Sequence, residues 1–188
     1  MNGAESRRTG EQHELGAVRR IYDHDTDAPT AGVVVPSVFV AVRDDQGRLL
    51  IVRRHDSGAW ELPGGRVDVG ESAVGSAVRE TTEECGLQVR ITGFVGLFTD
   101  PGHIVVSAGG DQIRQQFVVC FHAWLRAGTP RPDHQETSDA AWFDPDDVAA
   151  LPLEPGACRL IRHALSGARE PISTEERMAM KTLLGSWE

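Results

Sequence analysis

The sequence predicts an α+β fold, and three observations predict it. β-Branched runs bounded by turn formers fill the first half, one capped helical stretch lies mid-chain, and several helical stretches gather after residue 140. Ser37–Arg43, SVFVAVR, alternates between Pro36 and the turn Asp44-Asp45-Gln46-Gly47, which reads as a hairpin into Arg48–Arg53, RLLIVR. Pro63-Gly64-Gly65 makes a tight turn after Trp60-Glu61-Leu62, and a second loop ends at Gly70. The stretch from Ser72 to Cys85 follows as a helix, with Ser72 as N-cap and Gly86 as its stop. Val89–Phe98, Gln115–Leu125 and Ala140–Phe143 read as further strands, and Pro145–Leu151, Pro155–Ser166 and Thr174–Leu184 as helices.

One globular domain is the expectation for 188 residues that are 40% hydrophobic and 25% charged. Residues 1–30 are polar and lack a sustained period, so they read as an arm, either partly disordered or docked on the second subunit of a homodimer; residues 31–188 form the domain. The formal charge of −9 argues against a protein that grips nucleic-acid backbones, whose footprint is basic. Met1–Leu15 has no apolar signal region, and the longest apolar run, Gly32–Val42, is far short of the roughly 20 residues that cross a bilayer, so the chain reads as cytoplasmic and without a membrane partner. Cys85, Cys120 and Cys158 have neither disulfide-framework nor zinc spacing and read as reduced packing residues.

The chemistry lies between Gly65 and Leu87, GRVDVGESAVGSAVRETTEECGL. On a helix, Val74, Ala77, Val78, Thr81 and Cys85 form one stripe, while Glu80, Glu83 and Glu84, spaced i, i+3, i+4, gather on another face. That gathering opposes two local rules. Like charges at i, i+4 repel, and carboxylates in a last turn oppose the helix macrodipole. Such violations mark functional sites, and the compensation that fits is a hard divalent cation, Mg²⁺ or Mn²⁺, which takes carboxylate oxygens and leaves positions for water and phosphates.

The same segment resembles the Nudix box, G-x5-E-x7-R-E-U-x-E-E-x-G-U with U apolar, through Gly65, Glu71, Arg79, Glu80, Glu83, Glu84, Gly86 and Leu87. Seven fixed identities at fixed spacing arise by chance roughly once in 10⁸ starts, which excludes coincidence. Thr81 stands where the family pattern has an aliphatic residue. Trp60 to Gly65 is similar to the family's approach to the box, and Glu136 with Ala141-Trp142-Phe143 to its last strand, so the resemblance covers about Ser37 to Leu151.

The resemblance implies a Nudix fold, an α/β/α sandwich with a mixed β-sheet, and a metal site using Glu80, Glu83, Glu84 and the Gly65 carbonyl. Glu71 and Arg79 would support it, Arg79 pairing with Glu71 across loop and helix. Glu83 and Glu136 are the candidates for the base that activates water. Arg53 and Arg54 are read either as a phosphate clamp or as surface charges, Trp60 either as a base-stacking ring or as packing, and His103 and Arg114 as residues of the substrate loops.

The implied activity is hydrolysis of a diphosphate bond in a small-molecule nucleoside diphosphate derivative such as ADP-ribose or a nucleotide sugar. Phe98-Thr99-Asp100-Pro101-Gly102 is similar to a proline-bearing segment of ADP-ribose-cleaving members, and the small-residue loop Thr99–Arg114 suits a ligand with bulk at both ends. The alternatives are a nucleoside triphosphate pyrophosphohydrolase, a prenyl diphosphate isomerase of the same fold, and a non-catalytic ligand-binding module.

Overall fold

The computed structural model describes residues 18–166. Its strands and helices run β1 (Arg20–Asp23), β2 (Val33–Arg43), β3 (Leu49–Arg54), β4 (Trp60–Glu61), β5 (Gly64–Arg66), α1 (Ala73–Cys85), β6 (Gln88–Phe98), β7 (His103–Val106), β8 (Ile113–Ala127), β9 (Thr137–Phe143), α2 (Pro145–Val148) and α3 (Ala157–Ser166).

β2 organises the molecule. It pairs in parallel with β8 from Val33↔Arg114 to Arg43↔Trp124, and antiparallel with β3 and β5, so the sheet is mixed. A strand buried on both faces has no polar side to show, and the run VFVAV is accordingly apolar throughout. Val38, Val40 and Val42 face the core under α1, with Ala77, Cys85 and Leu87. Phe39 and Ala41 face the opposite core, under α2 and α3, with Leu49, Ile51, Val118, Leu160 and Ile161. One sheet between two helical layers is an α/β/α sandwich. β6 lies against β8 with three register shifts, near Val89, Gly93 and Gly96, and such bulges curl a sheet.

Several boundaries differ from the sequence reading, each for a local reason. β2 begins at Val33 and runs through Pro36, which reads in the sequence as the strand's boundary, because parallel pairing with β8 holds the whole run Val33–Arg43. Residues 20–23, assigned to the polar arm, form β1 and pair with β7 from Arg20↔Val106 to Asp23↔His103. Four residues are too few to display a period, and β7 is equally short. The helix expected over Pro145–Leu151 stops at Val148, where hydrogen-bonded turns take over (Leu151 N to Val148 O, 3.1 Å). The next helix starts at Ala157 rather than Pro155. The expected helix Thr174–Leu184 lies outside the described residues. Among the described residues no helix is long and apolar enough to cross a membrane. Cys85 and Cys120 are buried thiols, burial pushing Cys120 up to about 12, whereas Cys158 is exposed rather than a packing residue.

Candidate active site

α1 is set by its ends. The Ser72 hydroxyl accepts from the Gly75 amide at 3.1 Å, and Gly86, at φ 68°, adopts the left-handed turn that returns its amide to the Thr82 carbonyl. Ala77, Thr81 and Cys85 are buried as the stripe requires; Val74, expected with them, is exposed, and Ser76 and Glu84 are buried instead. Thr81 satisfies its hydroxyl on the Ala77 carbonyl at 2.8 Å, so a polar residue costs little at an aliphatic position.

The three helix glutamates meet different environments. Glu84 is 3% exposed and accepts from the Gly64 amide at 2.9 Å while pairing with Arg54 at 3.3 Å. Burial drives its carboxyl well above the ordinary value, opposed by the Gly64 hydrogen bond and helped by Glu61. Glu80 pairs with Arg79 at 3.0 Å, and burial raises it against that pairing. A Cβ added to Gly65 would collide with the Glu80 carboxylate, so glycine here lets the backbone approach that carboxylate. Glu83 is more than half exposed and meets Arg79 at 2.9 Å. Arg79 also donates to Glu71 at 2.8 and 2.9 Å. Those bonds, with one from the Ser76 hydroxyl, hold the Glu71 carboxyl down at about 2.

The other arginine comes from β3. Arg54 is 8% exposed and is ringed by Glu61, Glu84, Asp56 and Glu136, at 3.5, 3.3, 3.4 and 3.3 Å. Burial works against its charge, but the four carboxylates outweigh that and raise its pKa. Glu136 is exposed, on a loop whose amide groups are held by the Asp133 carboxylate; Thr137 beside it donates to the Glu84 carbonyl at 2.9 Å.

Arg54, Gly65, Arg79, Glu80, Glu83 and Glu136 open into one cleft of about 620 Å³, which Arg114 also lines. The turn Ser107–Gln112, part of the expected small-residue loop, borders it, while His103–Val106 of that loop form β7 and Ile113–Arg114 begin β8. Three expected residues are not brought there. Arg53 points the other way along the strand and donates to the Gly58 carbonyl. Trp60 packs edge-on against Phe143, with ring centroids 5.1 Å apart. His103 pairs with Asp23 at 3.1 Å, in a separate apolar cleft under α3.

Among the described residues, no three carboxylate, histidine or cysteine side chains converge on one point as metal ligands do. The arginines explain it: Arg79 draws Glu80 and Glu83, and Arg54 draws Glu84. The donor chemistry nevertheless fits a hard divalent cation, since Glu84 is a buried and Glu80 a partly buried carboxylate whose charge burial disfavours.

Sequence reasoning missed Glu61, fully enclosed between Arg19 and Arg54, and the polar side chains Ser37, Arg66 and Gln116 that line the cleft beside Gly65. Ser37 and Gln116 left one signal, a polar residue at an inward position of an otherwise apolar alternation.

The NUDIX domain model matches residues 34–164. Similar proteins include a MutT-like protein from Streptomyces ambofaciens, 33% identical over 76% of this chain and 82% of its own length. A putative 8-oxo-dGTP diphosphatase from Bacillus subtilis is 34% identical over 70% of this chain and 80% of its own. An NAD-capped RNA hydrolase NudC from Vibrio atlanticus is 31% identical over 77% of this chain, which spans about half (51%) of that protein. Among solved structures, an ADP-ribose pyrophosphatase from Streptococcus suis aligns with a TM-score of 0.56 and 25% identity, over 72% of this chain and 92% of that one.

Proposed function

The chain belongs to the Nudix family and is a Nudix hydrolase, and from that premise we propose that it cleaves the diphosphate bond of a nucleoside diphosphate joined to a second group, with Mg²⁺ or Mn²⁺. The observation that carries the proposal is that Glu80 and Glu83 line one cleft with Gly65 while Glu84 is buried against the adjoining Gly64 amide, contrary to the electrostatic interest of the isolated helix.

Nudix hydrolases generally use divalent ions. In this chain Glu80, Glu83, Glu84 and the Gly65 carbonyl would hold one, and when bound it neutralises charge on phosphate oxygens and acidifies water. Glu83 or Glu136, both in the cleft, takes the proton of a water molecule as its oxygen attacks one phosphorus. The bond from that phosphorus to the bridging oxygen breaks, and the other phosphate leaves. Arg79 and Glu71 hold the box loop on the helix; Arg54 holds Glu84 and Glu136 from the sheet side.

Bulk on both sides of the diphosphate favours a cleft this open over one closed around a terminal phosphate, and the ADP-ribose pyrophosphatase among its structural relatives supports the reading. The relative named a putative 8-oxo-dGTP diphosphatase favours a second reading, a nucleoside triphosphate. Incubating the protein and Mg²⁺ or Mn²⁺ with ADP-ribose, nucleotide sugars and nucleoside triphosphates at equal concentration decides. Cleavage of none sinks the hydrolase assignment, and a higher kcat/KM for any triphosphate sinks the preference.

A further inference from the structure

We propose that Arg66, Arg114 and Ser37 form a phosphate subsite beside the carboxylates, which takes a phosphoryl group of the substrate other than the two joined by the scissile bond. The inference rests on the hydrolase reading and deepens it.

The subsite begins in the strand pattern. On the face of the sheet that carries Phe39 and Ala41 from β2, and Val118 and Cys120 from β8, the apolar alternation stops abruptly. The next inward positions are Ser37 on β2, and Gln116 and Arg114 on β8. Ser37 pairs in register with Arg66, the residue after Gly65, so the group adjoins the carboxylate end of the same cleft.

Two atoms there lack partners. Ser37 is 1% exposed, and its hydroxyl makes no hydrogen bond; neither does the buried Nε of Arg114. Buried polar groups are almost always paired, so orphans aimed into a cleft identify a place where a ligand completes the bonding. The sign of that ligand follows from the charges. Among the described residues no carboxylate lies in ion-pair reach of Arg66 or Arg114, whereas Arg54 and Arg79 have eight such contacts with carboxylates between them. Burial, then Arg66 and Arg19, hold Arg114 below its ordinary pKa, the direction expected where cations gather without an anion. A guanidinium fork and a hydroxyl donor match a phosphoryl group, whose three oxygens accept several bonds at once. The scissile phosphates belong at Glu80, Glu83 and Glu84, so this group is additional to them.

A chelated solution tests the subsite apart from catalysis. Inorganic phosphate is titrated into the full-length protein in EDTA by calorimetry. Wild type should bind it, Arg114→Gln should weaken binding at least tenfold, and Arg114→Lys should fall between, since lysine keeps charge without the fork. Ser37→Ala removes only a hydroxyl from the core and should weaken binding several-fold in a protein that melts like wild type. No binding by wild type, or equal binding by wild type and both Arg114→Gln and Ser37→Ala, overturns the subsite even in an active enzyme. Phosphate binding without turnover on any diphosphate compound would instead overturn the hydrolase reading. With metal present, kcat/KM is compared for ADP-ribose against its 2′-phosphorylated form, and for a nucleoside triphosphate against the diphosphate. Preference for the phosphorylated member, lost in Arg114→Gln, supports the subsite and tells a phosphomonoester from a terminal phosphate. Equal efficiency in both pairs overturns it.

Discussion

Two arginines serve the glutamate helix, and they do it by opposite means. Arg79 belongs to α1 and spans Glu71, Glu80 and Glu83 in partly exposed surroundings. Arg54 comes from β3 and is buried among Glu61, Glu84, Asp56 and Glu136. Each holds one candidate base, Glu83 for Arg79 and Glu136 for Arg54. The difference teaches that one acidic cluster on paper is two sites in space: a local clasp built around a partly exposed arginine and a tertiary one built around a buried arginine. Exposed pairs are screened and contribute little, whereas a buried charge stripped of its partner is costly.

The largest effect should come from the carboxylates shared between the two clasps and the reacting phosphates. Glu84→Gln and Glu80→Gln are each expected to lower kcat about 10²–10³-fold in a folded protein, because a preorganised charge at the reacting centre is lost. Steady-state kinetics with saturating Mg²⁺ checks this, and normal turnover in both variants would remove these residues from the site. Of the two candidate bases, only the true one should lose the acidic limb of the pH–rate profile when changed to Gln, which assigns the role to Glu83 or to Glu136.

Stability separates the arginines themselves. Arg54→Ala should cost about 3–5 kcal/mol at pH 7, since Glu84 stays buried without a cation and Glu61 keeps only Arg19. Both carboxyls are raised in the fold, so the stability that their neutral forms contribute is full below the unfolded value of 4.5 and is lost as pH rises through the folded values. The penalty in Arg54→Ala should therefore shrink between pH 7 and pH 5 in urea unfolding. Arg79→Ala should lose its penalty in the same direction but in a lower pH window. Glu71 is depressed to about 2, so its contribution is present above 4.5 and fades as pH falls toward 2. The variant should differ from wild type at neutral pH and merge with it in acid. A penalty in Arg54→Ala that does not shrink toward pH 5 would mean the two clasps do not differ as described.

The smallest effect is expected at Thr81, whose hydroxyl bonds only within its own helix. Thr81→Val should change stability by no more than about 1 kcal/mol, with turnover unaffected. A larger loss would show that this position couples the helix to the second core.

The two clasps also differ in how far the sequence revealed them. Arg79, Glu71 and the three helix glutamates lie within one short segment, where spacing alone fixes geometry. Glu61 sits in a two-residue strand that has no period to read, and its partners Arg19 and Arg54 come from distant parts of the chain. Arg53 and Arg54 are indistinguishable by composition; a register shift in the pairing with β9 falls between them and leaves only Arg54 buried. Trp60 was ambiguous because a tryptophan before a tight turn serves packing or stacking equally well, and only the neighbouring Phe143 decides it. The sheet's central strands were legible from their β-branched runs. β1 and β7 were not, since each is four residues long and is specified by its pairing, β1 by β7 and β7 by β1 and β8.

That last pairing has a practical consequence for recombinant work. A cloning boundary drawn by composition at residue 31 would look harmless, trimming only a polar leader. It would delete β1 and leave β7 as a bare sheet margin open to other chains. It would also remove Arg19, the cation shared by Glu61 and Glu154 at 3.1 and 3.4 Å, and unlatch Asp23 from Arg159 on α3. Through Glu61 the loss would pass to Arg54 and so to Glu84. Poor solubility and low activity in such a shortened protein would share one origin, the loss of β1 together with Arg19 beside it, the first closing the sheet margin and the second tied through Glu61 and Arg54 to the glutamate helix.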